Sequence, residues 1–155
     1  MIPNDVATIE ADPEDTERSG RPSRERSSPE LPGNVEHVLC VEDDPDIRAL
    51  VELALQSVGG LRVTSCASGI EALARLPEVR PDVVLLDVMM PEMDGLETFR
   101  RMATGDDAPP VIFMTAKVQP QEVRRYLGLG ALGVIAKPFD PMTLAADIRR
   151  LCGCP

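Results

Sequence analysis

The feature that most constrains the fold is a fivefold alternation of short apolar runs with longer segments of helical spacing. The apolar runs span five residues each: 37–41 (HVLCV), 61–65 (LRVTS), 82–86 (DVVLL), 111–115 (VIFMT) and 132–136 (LGVIA). They are too short for helices and mostly lack polar alternation, as is typical of strands buried on both faces. Because strands that alternate with helices form parallel sheets, the sequence predicts a doubly wound α/β domain with five parallel strands.

Helix-start signals lie where this alternation requires them. Asp44 is placed to cap a helix that has Pro45 at its first position, and Ser68 with Glu71 three residues later forms a capping-box pattern. Asp140 and Pro141 repeat the first arrangement, so the last helix is expected to begin there. The predicted helical segments are 44–60, 68–79, 94–103, 119–130 and 140–153.

The first 34 residues differ from the rest of the chain. Acidic residues and arginines are mixed with Pro, Ser and Gly there, and no sustained period is present. Such a segment buries too little apolar surface to offset the ordering of its backbone, which costs about 1–2 kcal/mol per residue. We therefore predict a disordered, acidic, Pro- and Ser-rich extension at 1–34 and a folded domain at 35–155.

Charge and cysteine content narrow the class of protein. The net charge of −10 disfavours nucleic-acid binding, because a DNA-binding face needs clustered Lys and Arg. Cys40, Cys66, Cys152 and Cys154 are irregularly spaced and are interpreted as reduced thiols. No signal-peptide pattern and no apolar stretch of about 20 residues is present. The sequence predicts a cytoplasmic protein without membrane insertion.

Chemically versatile residues follow four of the five predicted strands. Glu42 and Asp43 follow the first, Asp87 the third, Thr115 and Ala116 end the fourth, and Lys137 follows the fifth. Because ligands bind beyond the carboxyl ends of parallel strands, these residues are expected at one edge of the sheet.

The charges at this edge suggest a metal ion. Two carboxylates 4 Å apart repel by about 4 kcal/mol at an effective dielectric of about 20, and Mg²⁺ relieves such repulsion by taking carboxylate ligands. A carboxylate beside Mg²⁺ and a lysine can act as a nucleophile toward phosphorus. Asp87 could alternatively be a helix cap, and Glu42 and Asp43 could belong to a solvated turn.

Four motifs in this order resemble the receiver domain of response regulators in bacterial two-component signalling, a phosphoacceptor module. They are VEDD at 41–44, PDVVLLDVMMPEMDG at 81–95, MTA at 114–116 and KPF at 137–139. The resemblance covers nearly the whole chain beyond the extension. It implies a CheY-like, flavodoxin-like sheet with strand order 2-1-3-4-5.

The resemblance also implies a role for each site residue. Asp87 accepts the phosphoryl group from a histidine kinase or a small donor such as acetyl phosphate. The Mg²⁺ ligands are the carboxylates of Glu42, Asp43 and Asp87 with the backbone carbonyl of Met89. Thr115 and Lys137 bind phosphoryl oxygens, and Ala116 leaves room for the group.

Three further expectations come from the resemblance. The Lys137–Pro138 bond is expected to be cis. The output is expected to be protein–protein binding at the face from Gln119 to Leu151, or onward transfer to a histidine phosphotransfer protein. The sequence departs from the family at Val134, a position where the family usually has an aromatic ring. The phosphorylation signal is therefore expected to pass through the Thr115 loop and the helix after it.

The sequence leaves two competing functions open. A phosphatase of the haloacid dehalogenase type also uses a strand-end aspartate with Mg²⁺, but it needs a second Asp where this chain has Met89. A pseudo-receiver that is never phosphorylated is another possibility. Because the sequence stops soon after the fifth predicted helix, we expect a stand-alone, non-enzymatic regulator, with a receiver fragment of a longer regulator as the alternative.

Overall fold

The computed structural model describes residues 8–10, 31–105 and 108–154. The strands within these residues are β1 (Thr8–Glu10), β2 (His37–Val41), β3 (Arg62–Cys66), β4 (Val83–Asp87), β5 (Val111–Thr115) and β6 (Gly133–Ala136). The helices are α1 (Pro45–Leu53), which continues as a π-helical turn (Ala54–Val58), α2 (Gly69–Val79), α3 (Gly95–Ala103), α4 (Pro120–Gly128) and α5 (Leu144–Leu151).

The sheet confirms the predicted parallel topology. Its order is β1-β6-β5-β4-β2-β3, and β2 to β6 are parallel throughout. Counted among the five parallel strands alone, this is the order 2-1-3-4-5. All five predicted strands are present, with bounds within one residue of the apolar runs. The carboxyl ends of the parallel strands therefore meet at one edge, as the site requires.

Apolar layers lie on both faces of the sheet. On one face Val38, Leu85 and Ile112 pack with helical residues such as Leu55, in the π-helical turn after α1, and Ile148, on α5. On the other face the side chains that point the opposite way pack with α2, α3 and α4; among them are Leu39, Leu86, Phe113, Met102 and Tyr126. Burial on both faces explains why the strands lack polar alternation.

Two of the three predicted helix starts are confirmed and one is shifted. Asp44 accepts from the backbone N–H of Asp46 at 2.9 Å, and Ser68 accepts from that of Glu71 at 3.0 Å. Asp140 instead caps a turn: its side chain accepts from the N–H of Met142 at 2.9 Å, and α5 begins only at Leu144.

A short strand forms within the predicted N-terminal extension. Thr8–Glu10 pairs antiparallel with β6 and makes the sheet six-stranded. For these three residues the expectation of disorder does not hold, and the rest of 1–30 lies outside the described residues.

Two smaller predictions can also be compared with the structure. Cys40, Cys66, Cys152 and Cys154 are all free thiols, as predicted. Within the described residues, no helix has the length and apolar character needed to traverse a bilayer.

Candidate phosphoacceptor site

Four neighbouring parallel strands deliver the candidate side chains to one edge. Asp87 is the last residue of β4, and Thr115 is the last residue of β5. Glu42 and Asp43 follow β2 directly, and Lys137 follows β6. Because β4 lies between β2 and β5, the carboxylate of Asp87 is at the centre of this set.

Lys137 binds two of the three carboxylates. Its Nζ lies 3.1 Å from Asp87 Oδ1 and 3.2 Å from Glu42 Oε1. Asp87 is 2% exposed and Glu42 is 1% exposed, so both ion pairs are shielded from solvent. The Lys137–Pro138 bond is cis, as predicted.

We call Glu42, Asp43 and Asp87 the acidic rim. One carboxylate oxygen from each lies within 4.8 Å of the others. Ligand oxygens on opposite sides of Mg²⁺ are about 4 Å apart, so this spacing fits one octahedral ion after small side-chain adjustments. An all-oxygen donor set with several negative charges also matches the preference of Mg²⁺ for hard ligands.

Burial makes the acidic rim costly when no cation is bound. Burial raises the pKa of Glu42 to about 7, the charge of Asp87 adds to the rise, and Lys137 opposes it. The pKa of Asp87 is also raised by burial, against the effect of Lys137. Burial alone would lower the pKa of Lys137, but the two carboxylates outweigh it, so that pKa is raised.

The cost arises from charge and not from missing hydrogen bonds. Glu42 Oε2 accepts from the N–H of Asp44 at 3.1 Å, and Asp87 Oδ1 accepts from the N–H of Met89 at 3.3 Å. Among the described residues, every buried side-chain nitrogen or oxygen has a hydrogen-bond partner. One positive charge, on Lys137, is thus bound to two buried carboxylates.

The sequence reasoning missed one positioning residue. Arg48 Nη1 donates to the carbonyl of Glu42 at 2.8 Å and to that of Asp43 at 3.4 Å, which holds the loop after β2. In the sequence, the only sign of this role was the position of Arg48 one turn into the first predicted helix. A Cβ at Gly95 would collide with the carbonyl oxygen of Asp87, so only glycine allows α3 to begin against the end of β4.

The remaining predicted residues lie around the acidic rim. Thr115 is 1% exposed, and its Oγ1 accepts from the N–H of Lys117 at 3.0 Å. Ala116 is exposed at the start of the loop after β5. Met89, whose side chain is 62% exposed, contacts Asp87 through its N–H, and this places its backbone in the loop next to the acidic rim.

The region behind Thr115 contains aromatic rings despite the absence of one at position 134. Val134 is fully buried and lies opposite Phe113 in the sheet. The ring of Tyr126, on α4, packs against that of Phe113 with centroids 5.2 Å apart. The hydroxyl of Tyr126 donates to Glu122 at 3.5 Å. A ring from α4, rather than from β6, therefore packs behind the strand that bears Thr115.

The chain belongs to the response regulator receiver domain family. Its sequence matches the profile described as "Response regulator receiver domain" over residues 38–149. The strand order and the helices on both faces agree with this assignment. The chemotaxis response regulator CheY4 of Vibrio cholerae superposes with a TM-score of 0.70 at 33% identity, over 76% of this chain and 99% of that one.

Curated relatives with similar sequences are bacterial regulators. The transcriptional regulatory protein CseB of Streptomyces coelicolor is 41% identical over 113 residues, which are 73% of this chain and 47% of CseB. The transcriptional regulatory protein TrcR of Mycobacterium tuberculosis is 38% identical over 119 residues, which are 77% of this chain and 46% of TrcR. The chain thus spans about half the length of these relatives.

Proposed function

We propose that this receiver domain accepts a phosphoryl group on Asp87 in the presence of Mg²⁺. The observation that carries the proposal is the acidic rim, in which three carboxylate oxygens lie within 4.8 Å while Lys137 binds two of the carboxylates. Glu42, Asp43 and Asp87 would hold the ion, together with the backbone carbonyl of Met89. When bound, Mg²⁺ neutralises carboxylate and phosphoryl charge at once.

The reaction is a phosphoryl transfer to a carboxylate. A carboxylate oxygen of Asp87 forms a bond to phosphorus as the bond from phosphorus to the donor breaks, and the electron pair of that bond leaves with the donor. The donor is a phosphohistidine of a histidine kinase or phosphotransfer protein, or acetyl phosphate. The protein thus serves as a signalling phosphoacceptor and catalyses only its own phosphorylation and dephosphorylation.

The side chains around Asp87 have distinct tasks in this proposal. Lys137 Nζ, already 3.1 Å from Asp87 Oδ1, pairs with a phosphoryl oxygen after transfer. The Thr115 hydroxyl turns from the N–H of Lys117 to another phosphoryl oxygen. Ala116 has only a methyl group, which leaves space for the phosphoryl group above the end of β5.

The phosphorylation signal is proposed to pass from Thr115 to the loop after β5 and then to α4. Val134 has no ring that could report a movement of Thr115, whereas Tyr126 of α4 packs against Phe113, two residues before Thr115. Backbone NMR shifts from Met114 to Leu127 should therefore differ between the free and phosphorylated forms. Identical shifts would contradict this route.

The proposed partners are proteins. A histidine kinase or phosphotransfer protein supplies the phosphoryl group in the cytoplasm, and a downstream protein binds the face from Gln119 to Leu151. The net charge of −10 of the whole chain argues against a direct contact with nucleic acid. The stand-alone organisation stays a prediction, because CseB and TrcR continue beyond the matched region.

Mass spectrometry after incubation with acetyl phosphate and Mg²⁺ tests the proposal. Wild type should gain the mass of one phosphoryl group, and the gain should disappear in Asp87→Ala and in wild type with EDTA. Asp147→Ala, at a carboxylate on α5 that pairs with Arg150, is the matched control and should be phosphorylated normally. No gain in wild type, even from a phosphorylated kinase, would identify a pseudo-receiver.

A further inference from the structure

The end of α5 is followed by two cysteines that the proposed phosphoryl transfer does not use. Cys152 and Cys154 are separated only by Gly153, and all three lie beyond residue 149, where the family match ends. Both thiols are free. Cys152 is fully buried, whereas Cys154 is partly exposed. The pair therefore combines one thiol that solvent reaches with one that it does not.

The backbone after α5 forms a Schellman motif around Gly153. The N–H of Cys154 donates to the carbonyl of Arg149 at 2.9 Å, and that of Gly153 donates to the carbonyl of Arg150 at 3.1 Å. Gly153 has a φ of 76°, which is in the left-handed region. The chain thus turns sharply between Cys152 and Cys154.

This turn places the two cysteines at a separation that a disulfide spans. Adjacent Cα atoms are about 3.8 Å apart, so Cα atoms two residues apart in a folded turn are about 5.5 Å apart. Disulfides join Cα atoms that are about 4.4–6.8 Å apart. The backbone can therefore keep its turn when the two sulfurs are joined.

Both cysteine side chains also pack against the same apolar layer. Cys152 belongs to the buried cluster that contains Ile148 and Leu151 of α5, and Cys154 packs partly against that cluster. Burial raises the pKa of the Cys152 thiol to about 12, and the charge of the Cys154 thiolate adds to the rise. This electrostatic effect agrees with a position of the two thiols side by side.

We propose that Cys152 and Cys154 form a reversible dithiol–disulfide site that reacts with low-molecular-weight disulfides. The thiolate of Cys154 attacks one sulfur of the reagent, which gives a mixed disulfide and releases one thiolate. The thiolate of Cys152 then attacks the Cys154 sulfur, which closes the bond between the two cysteines and releases the second thiolate. Each cysteine gives up one proton, and the reagent is reduced to two thiols. The inference is independent of phosphoryl transfer to Asp87.

Exposure sets the order of the two steps. Cys154 is the thiol that a reagent in solution reaches, whereas burial and a raised pKa keep Cys152 from reacting first. Once the mixed disulfide has formed two residues away, the second step is intramolecular and is accelerated by proximity. Cys40 and Cys66 are both buried, so they are internal controls that the reagent should not reach.

Mass spectrometry of the folded chain after incubation with hydroxyethyl disulfide at pH 8 tests the proposal. Wild type should lose the mass of two hydrogens, and peptide mapping should place the new bond between Cys152 and Cys154. Cys152→Ala should stop at one mercaptoethanol adduct on Cys154, because the second thiol is missing. Cys154→Ser should not react. Dithiothreitol should return wild type to its starting mass.

The same reaction in urea is the control for shielding. Cys40 and Cys66 should stay unmodified in the folded protein and should react once it is unfolded, because burial alone protects them. Peptide mapping of wild type locates the bond without any variant, so the test stands even where a substitution prevents folding.

Three results would overturn the proposal. Wild type that stops at a single adduct, or that forms a bond between two chains, would show that Cys152 does not reach Cys154. An adduct on Cys152 in Cys154→Ser would show that Cys152 is not shielded and that the order of steps is wrong. Folded wild type that does not react, although its unfolded form does, would show that neither thiol is accessible.

Discussion

Leu85 and Asp87 stand two residues apart on β4, and both are buried, but burial has opposite consequences for them. Leu85 is fully buried in the apolar layer between the sheet and helices α1 and α5. Asp87 is 2% exposed and faces Glu42 and Lys137. Removal from water stabilises the fold at Leu85 and raises the energy of a charge at Asp87. The strand β4 thus contributes residues both to the apolar core and to the candidate site.

The acidic rim differs from the apolar core in what its burial costs. Every buried side-chain oxygen of the acidic rim has a hydrogen-bond partner, so the remaining cost is the burial of the neighbouring negative charges of Glu42 and Asp87. In the proposed function, a divalent cation would relieve that cost and Asp87 would be the nucleophile toward the phosphoryl group. Variants in the apolar core and in the acidic rim test this contrast.

Leu85→Ala should lower the free energy of unfolding by about 2–5 kcal/mol, since it leaves a cavity in the apolar layer. Urea denaturation at pH 8 with EDTA is the measurement. Leu129→Ala, at a side chain 45% exposed just after α4, is the control and should change the value by less than about 0.5 kcal/mol. Equal small effects for both would contradict the assignment of Leu85 to the core.

Gly95→Ala should cost about 1–3 kcal/mol, because its methyl group meets the backbone at the end of β4 and forces a shift there. It should also reduce phosphorylation of Asp87 by displacing that residue. Gly128→Ala, within α4 and with nothing near its added methyl group, should be neutral or stabilise by up to about 1 kcal/mol. A fully phosphorylated Gly95→Ala protein would show that the close approach does not position Asp87.

Asp87→Asn should raise the free energy of unfolding of the metal-free protein at pH 8, because it removes one of the two buried carboxylates that share Lys137. Asn keeps the size of the side chain and removes its charge, while Lys137 keeps its partner Glu42. Asp147→Asn breaks a surface pair with Arg150 and should be neutral or slightly destabilising. Destabilisation by Asp87→Asn would mean that its charge is well compensated without a cation.

The metal-free protein should become more stable as the pH falls from 8 toward 5. Glu42 has a pKa of about 7 when folded and an ordinary value of 4.5, so the folded state binds more protons between these values. The stabilisation by protonation is complete below pH 4.5 and is lost as the pH rises through about 7. Urea denaturation from pH 5 to 8 should show this slope in wild type, and Glu42→Gln should flatten it.

Much of the fold and site could be predicted because the signals are local. The apolar runs located all five parallel strands to within one residue, and Asp44 and Ser68 marked two helix starts correctly. Parallel pairing then brings the ends of those strands together, so Glu42, Asp87 and Lys137 could be grouped before any distance was known.

The features that escaped prediction depend on distant parts of the chain or on competing local bonds. β1 is three residues long and forms only because β6, more than 120 residues away, offers an edge. Asp140 resembles Asp44 in sequence, but its side chain bonds to the N–H of Met142 in a turn that postpones α5. The hydrogen bonds from Arg48 to the carbonyls of Glu42 and Asp43 likewise depend on the direction that α1 takes after the loop that follows β2.

The most direct test of the account is the change in unfolding free energy on adding Mg²⁺ at pH 8. A cation bound by the acidic rim should stabilise wild type by about 1.4 kcal/mol when its concentration is ten times the dissociation constant. Asp87→Asn, which removes the central charge, should respond much less. A wild-type protein that gains nothing from Mg²⁺, or a variant that gains as much as wild type, would contradict the claim that the acidic rim is a cation-dependent phosphoacceptor site.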